Sequence, residues 1–169
     1  MTRKYISVLL LALVLATLAG AAKPVLSQEE TAYFLVANPD LVLIGMSDSY
    51  VLPLTDPEDI ALARVMASGG AGLIVGARIT TGSDGINRDM LAPDQPEWSW
   101  HVKEFSAFTE TAIELCDGTP TYTEGEALNK PEGEVWDICY WNYTVVKEVT
   151  DVVPVEGSTW GSIKALFGN

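Results

Sequence analysis

The chain has 169 residues, a length typical of one domain, with 10 basic and 23 acidic residues and a net charge of −13. This acidity disfavours binding to phosphate backbones and to anionic membrane surfaces, so we predict no nucleic-acid partner. The acidic residues are spread along the sequence, which indicates the solubility of an exported protein more than a site for cations.

Residues 1–27 have the three parts of a secretory signal peptide, namely a positive start, an apolar run and small residues. The apolar run is shorter than the roughly 20 residues of a spanning helix, so a retained membrane anchor is the less favoured alternative. Cleavage after Ala21 and cleavage after Ser27 both fit the small-residue rule. We therefore predict a protein that is secreted, periplasmic or extracellular.

Three further segments are predicted after this leader. Residues 28–32 form a linker, residues 33–152 form a single globular domain, and residues 153–169 form a tail with a candidate short amphipathic helix. The leader carries three basic residues and no acidic one, so its removal leaves 7 basic and 23 acidic residues (7 − 23 = −16). No second apolar run of spanning length follows, so we predict no stable membrane span after cleavage.

The domain begins with short apolar runs separated by turn residues. Residues 33–37, 41–45 and 49–54 are predicted strands, and the first two are separated by a turn at Asn38 to Asp40. Pro53 cannot donate a backbone hydrogen bond, so the third strand is predicted to lie at a sheet edge or to end there.

The clearest local signal is a helix start at Thr55. Thr55 is the predicted cap, Pro57 suits the first turn, and Glu58 can complete a capping box. Apolar residues then continue at helical spacing, which predicts the main helix over residues 57–67. Residues 73–80 are predicted to form the next strand.

A long polar loop over residues 81–96 offers three carboxylates, those of Asp84, Asp89 and Asp94. The sequence is only loosely similar to an EF-hand loop, because Ile86 occupies a ligand position and the glycine comes too early. A calcium site of another kind remains an alternative here, and the sequence predicts no other metal and no cofactor.

The next segment alternates between apolar and polar residues, which is typical of a half-buried strand. One face carries Trp98, Trp100 and Val102, which we predict to be core. The other face carries Glu97, Ser99 and the chain's one histidine, His101. Residues two apart on a strand lie about 6.5–7 Å apart, which is too far for a direct serine–histidine hydrogen bond without help from the rotamers.

The remaining elements are less distinct. Residues 104–116 fit a helix or a strand, and their β-branched side chains favour a strand. Residues 121–129 are predicted to hold one or two helical turns, and residues 143–150 the last strand. Asn142 begins a glycosylation sequon, which has meaning only in a eukaryotic secretory route.

Two cysteines, Cys116 and Cys139, are predicted to form a disulfide, because an exported chain matures in an oxidising compartment. A metal site and reactive thiols are the alternatives. With a single histidine and no C-x-x-C sequence, a zinc cluster lacks ligands.

An ordered set of motifs resembles a poorly characterised family of small exported domains. Over residues 33–150 the set comprises Leu-Thr-Asp-Pro at 54–57, Trp-Ser-Trp-His at 98–101, Ala-Ile-Glu-Leu-Cys-Asp at 112–117 and Val-Lys-Glu-Val at 146–149. The family pattern has Cys-Pro-Trp near the second cysteine where this chain has Cys139, Tyr140 and Trp141, so the turn there is left open. The resemblance implies a compact domain with paired cysteines and no established reaction.

The predicted fold is α+β, with a mainly antiparallel sheet of about five to seven strands packed against one main helix, and one disulfide. The predicted function is a non-enzymatic module that binds a protein or glycan, for which Trp136, Tyr140 and Trp141 form a candidate surface. One alternative is a hydrolase that uses His101 with a carboxylate. The carboxylates considered are those of Glu97, Glu114 and Asp94. The other alternative is an acidic domain stabilised by calcium.

Overall fold

The computed structural model of the chain describes residues 31–92, 94, 96–111 and 116–150. The leader, the tail at 153–169 and Glu114 lie outside the described residues. Six strands and three helices are present in the described part of the chain. In chain order they are β1 (Ala32–Ala37), α1 (Pro39–Val42), β2 (Ser49–Leu54), α2 (Pro57–Ala67), β3 (Ile74–Thr81), β4 (Trp100–Thr109), α3 (Pro120–Ala127), β5 (Val135–Cys139) and β6 (Thr144–Val149).

The strands form two antiparallel three-stranded sheets, with orders β2-β1-β6 and β4-β3-β5. The prediction of one sheet of five to seven strands packed against one main helix was therefore wrong in its layout, although a mainly antiparallel α+β fold is confirmed. The physical reason lies at Asn87. Its Oδ1 accepts a hydrogen bond from Val51 N on β2, and its Nδ2 donates to Trp100 O on β4. A buried side chain thus bridges two strands that belong to different sheets.

Residues 41–45 are not a strand, which corrects a second prediction. Asn38 Oδ1 accepts hydrogen bonds from the backbone of Asp40 and Leu41, so Asn38 caps the short helix α1. A turn follows, with Gly45 at a φ of 69°. A short apolar run carries no clear period, and here the capping residue outweighs the apolar character of the run.

Most other elements agree with the sequence within a residue or two. Helix α2 is capped by Asp56 and not by Thr55. Strand β2 lies at a sheet edge, as Pro53 predicted. Strand β4 begins at Trp100 and ends at Thr109, so the predicted strand over residues 104–116 is shorter, and residues 112–115 are outside the described part.

One hydrophobic core contains side chains of both sheets and of α2. Five aromatic rings cross it in successive contact, with centroid distances of 5.3–6.2 Å. This aromatic column consists of Trp98, Trp100, Tyr50, Tyr140 and Tyr143. The predicted disulfide between Cys116 and Cys139 is confirmed and ties the segment after β4 to the end of β5. None of the helices in the described residues has the length and apolar character needed to cross a bilayer.

Candidate binding cleft

Four segments meet around an open cleft of about 390 Å³ at one end of the aromatic column. They are the turn between α1 and β2, residues 89–92, the N-terminus of α3 and the residue before β6. Polar and apolar side chains line it together, among them Leu41, Met46, Asp48, Asp89, Leu91 and Tyr143. We call it the Asp48 cleft.

The turn between α1 and β2 carries an exposed apolar rim. Leu43, Ile44 and Met46 are 86%, 64% and 72% exposed. The turn is nevertheless fixed at its base, because Ser47 Oγ accepts a hydrogen bond from Asn38 N at 3.1 Å and donates one to Asp48 O at 2.8 Å. Its apolar side chains therefore project from a backbone held at both ends.

Asp48 is held by two neutral donors. Its Oδ1 accepts a hydrogen bond from Tyr143 Oη at 2.5 Å, and its Oδ2 accepts one from Thr121 N at 2.7 Å, in the first turn of α3. A carboxylate at a helix N-terminus is stabilised by the unpaired backbone N–H groups there. Burial raises the pKa of the Tyr143 phenol, and the hydrogen bond to Asp48 and the nearby charges of Asp48 and Asp89 raise it further.

Asp89 is the second carboxylate of the cleft and is only 8% exposed. Its Oδ1 accepts hydrogen bonds from Ser49 Oγ at 2.8 Å and from Leu91 N at 3.0 Å. Within the described residues its Oδ2 has no hydrogen-bond partner. The ion pairs found in the described part of the chain join other residues, and none includes Asp48 or Asp89.

A family model of the BP-74 N-terminal domain matches residues 30–152, which is most of the chain. The chain belongs to the BP-74 N-terminal domain family. This membership confirms the predicted relation to a poorly characterised domain family. Comparison with curated proteins and with solved structures gave no match.

In this BP-74 N-terminal domain, the predicted acid–base residues point to different partners. His101 Nδ1 lies 2.7 Å from Gly82 O. Glu97 accepts hydrogen bonds from Ser83 Oγ and from the Arg88 guanidinium, each at 3.1 Å. Among the described residues no carboxylate lies within hydrogen-bond reach of the imidazole.

Ser99 is the third of the predicted acid–base residues. Its Oγ is buried without a hydrogen-bond partner in the described structure, and its backbone N–H donates to Glu124 at 2.8 Å. The structure therefore brings Ser99, His101 and Glu97 near one strand end without joining them by hydrogen bonds. Asp94, a further candidate carboxylate, is exposed.

The three candidate surface aromatics of the domain have three different environments. Tyr140 is 2% exposed and belongs to the aromatic column, so it is a core residue and not a surface residue. Trp136 is half-buried, with Lys130 Nζ 4.9 Å from its ring centroid. Trp141 is 46% exposed and is the one member of the set open enough to meet a partner directly.

Two of the three candidate calcium ligands, Asp84 and Asp89, accept hydrogen bonds within the fold. Asp84 Oδ1 accepts hydrogen bonds from the backbone of Ile86 and Asn87 and so shapes a turn. Asp89 lines the Asp48 cleft, whereas Asp84 does not. In the described residues, no group of three or more histidine, cysteine, aspartate or glutamate side chains is placed to hold a metal ion.

Sequence reasoning missed the Asp48 cleft. A signal was present, since Asn38 followed by Pro39 and Asp40 is a helix-capping pattern that ends a strand. A helix predicted from this cap would replace the strand predicted over residues 41–45. The apolar side chains that follow the helix would then have no sheet face to cover. Tyr143 and Asp48 are 95 residues apart in sequence, and no local pattern connects them.

Proposed function

We propose that the chain is an exported, non-enzymatic binding domain and that the Asp48 cleft with its apolar rim is its binding surface. The observation that carries the proposal is the exposure of Leu43, Ile44 and Met46 beside a cleft with a polar floor. Single exposed apolar side chains are ordinary, but a contiguous group beside a concavity is typical of an interaction site.

Burial of this rim by a partner supplies a driving force for binding. Each Leu, Ile or Met side chain contributes about 1.5–3 kcal/mol when it passes from water to a fully buried site. The hydrogen bonds at Ser47 hold the turn in place before the partner arrives. A surface that is already ordered loses less conformational entropy on binding than a mobile loop does.

The non-enzymatic part of the proposal is supported by the positions of the acid–base groups. A histidine that acts as a general base is commonly oriented by a carboxylate, whereas His101 contacts a backbone carbonyl. Glu97 is engaged by Arg88 on the neighbouring loop. The hydrolase alternative predicts turnover of ester or glycoside substrates that is lost in a His101→Ala variant. The binding proposal predicts no difference between that variant and the unchanged chain.

The binding proposal is tested with a peptide library displayed on phage. Peptides selected on the chain are measured by fluorescence anisotropy against a triple variant, Leu43→Ser, Ile44→Ser and Met46→Ser. The matched control replaces three exposed apolar residues on α2 and at the end of α3. These are Leu62, Val65 and Leu128, each changed to Ser.

We expect the selected peptides to bind the control like the unchanged chain and to lose about tenfold or more in affinity for the rim variant, which corresponds to about 1.4 kcal/mol. Equal affinity for the rim variant would contradict the proposal. A library that gives no enrichment over an unrelated acidic protein would contradict it as well.

Export is supported by the leader pattern at residues 1–27. Expression with a functional secretion system should give a shortened protein outside the cytoplasm, with Ala22 or Gln28 at its N-terminus. Intact-mass measurement separates the two cleavage sites. A full-length chain retained in the cytoplasm would overturn the export proposal and leave the binding proposal standing.

A further inference from the structure

We infer that the Asp48 cleft binds a cationic side chain, lysine or arginine, presented by a partner peptide with apolar residues on either side of it. The inference rests on the proposed function, because it names the class of partner for the same surface. Its basis is the arrangement of Asp89 and Asp48, which lie in the cleft without a positive charge from the described chain.

The first observation is the unused acceptor of Asp89. The side chain is 8% exposed, and both of its hydrogen bonds go to Oδ1. With Oδ1 bonded to Ser49 and Leu91, Oδ2 stays open to the cleft, and it is not among the fully buried unpaired atoms of the described residues. Oδ2 is therefore an acceptor that a donor from outside the chain can reach.

The second observation is that Asp48 is fixed by neutral groups. Tyr143 Oη and Thr121 N orient its carboxylate and add no positive charge beyond the partial charge of a helix N-terminus. Asp48 and Asp89 line the same cleft as Tyr143. The two carboxylates are thus brought together in one cleft by segments that are distant in sequence.

The third observation is the mixed lining of the cleft. Leu41, Met46 and Leu91 line it together with the two carboxylates. Lysine and arginine carry a polar head on an apolar stem, so their stems pack on such side chains while the head reaches an acid. The volume of about 390 Å³ lies in the range of about 300–1,000 Å³ that is typical of small-ligand sites.

The fourth observation is that the net charge of the chain and its apolar rim are both complementary to a peptide of this kind. The chain has a net charge of −13, so a basic peptide is attracted from solution before contact. Apolar residues that flank the cationic side chain would meet Leu43, Ile44 and Met46, which are exposed at the rim. A partner of this composition satisfies the carboxylates and covers the apolar rim at once.

The inference is tested with three peptides that differ at one position. They are acetyl-Leu-Lys-Leu-amide, acetyl-Leu-Met-Leu-amide and acetyl-Leu-Glu-Leu-amide, each titrated into the isotope-labelled full chain and followed by backbone amide NMR shifts. We expect shifts at Met46, Leu91 and Thr121, with the lysine peptide binding at least about tenfold tighter than the glutamate peptide. We also expect weaker binding of the lysine peptide at high salt, because salt screens the attraction.

An Asp89→Asn variant separates charge from shape. Asparagine keeps an oxygen for Ser49 and Leu91 and removes the negative charge. The variant should therefore bind the lysine peptide about tenfold more weakly and bind the methionine peptide with unchanged affinity. The exposed Asp117→Asn is the matched control and should change neither. If Asp89→Asn fails to fold, the comparison of the three peptides on the unchanged chain still decides the question.

The outcomes distinguish the inference from the proposed function. Equal binding of all three peptides in the cleft would overturn the cationic partner and keep the binding surface. Shifts at other places, or no binding of any peptide while library peptides bind the rim, would also overturn the inference. Calcium chloride that moves the same amides and blocks the lysine peptide completely at low concentration would replace it with a metal site.

Discussion

Tyr143 Oη donates a hydrogen bond of 2.5 Å to Asp48 Oδ1, and this contact joins the aromatic column of the core to the floor of the cleft. Tyr143 itself is buried and stands directly before β6, whereas Asp48 stands directly before β2. The two edge strands of one sheet, β2 and β6, are therefore linked at the end of the sheet where the candidate partner would bind. We therefore expect changes at this pair of residues to affect both the stability of the fold and the proposed binding.

The Tyr143→Phe variant should lose stability by about 1–3 kcal/mol, because Asp48 then loses one of its two donors while its other oxygen stays bound to Thr121 N. The measurement is the free energy of unfolding in urea. Tyr122→Phe is the matched control, since Tyr122 is exposed in α3, and it should change stability by less than about 0.5 kcal/mol. Equal values for the two variants would show that the Tyr143 contact does not stabilise the fold.

Alkaline pH should unfold the domain through its buried tyrosines. Burial raises the pKa of the phenols of Tyr50, Tyr140 and Tyr143 above the ordinary value of 10.0. The folded state therefore favours the neutral phenol, so this contribution to stability is complete below pH 10 and is lost as pH rises above it. Phenolate absorbance and circular dichroism against pH measure the effect.

We expect the phenols of Tyr50, Tyr140 and Tyr143 to ionise together with the loss of circular dichroism. Ionisation of these three phenols near pH 10 with the fold intact would contradict their burial.

The Asn87→Ala variant should be strongly destabilised, because it leaves Val51 N on β2 and Trp100 O on β4 without their partner. Each buried backbone group left unpaired costs about 1–3 kcal/mol. Thermal unfolding measures the loss, with the exposed Asn129→Ala as control. A melting temperature unchanged by Asn87→Ala would mean that the side chain is not what joins the two sheets.

Removal of the disulfide by the double change Cys116→Ser and Cys139→Ser should lower stability by about 3 kcal/mol, the value expected for a closed loop of this length. The disulfide joins Cys116 to the end of β5. Cys116 O also accepts a hydrogen bond from Trp141 N, so loss of the disulfide should loosen the turn before Tyr143 as well. Urea unfolding of oxidised and reduced protein measures the first effect. Identical transitions with and without reductant would contradict it.

The sequence predicted β1, β2, β3, β4, β6 and the disulfide, because most strands follow a local pattern of apolar residues. It did not predict β5, and the strand predicted over residues 41–45 is absent from the structure. Alternation placed Trp98 and Trp100 in the core, and Pro53 placed β2 at an edge, as the structure has them. Pairing between strands was predicted less well. The sheets of β2 and β4 are bridged by Asn87, a single side chain in a loop, and alternation carries no signal for such a contact.

Sequence patterns could not predict the cleft for a similar reason. Asp48, Asp89, Thr121 and Tyr143 come from four segments that meet only after folding. His101, by contrast, attracted attention as the one histidine of the chain, although the fold gives it a backbone carbonyl as partner. The hydrolase hypothesis was based on this single histidine, whereas the two carboxylates of the cleft lie on other segments.

The most direct test of the central claim is the distance between the lysine Nζ of bound acetyl-Leu-Lys-Leu-amide and Asp89 Oδ2, measured in a crystal structure of the complex. We predict about 2.7–2.9 Å, the usual length of a charge-assisted hydrogen bond, with the flanking leucines on Leu43, Ile44 and Met46. A peptide bound with its lysine in solvent, or bound outside the Asp48 cleft, would contradict the account.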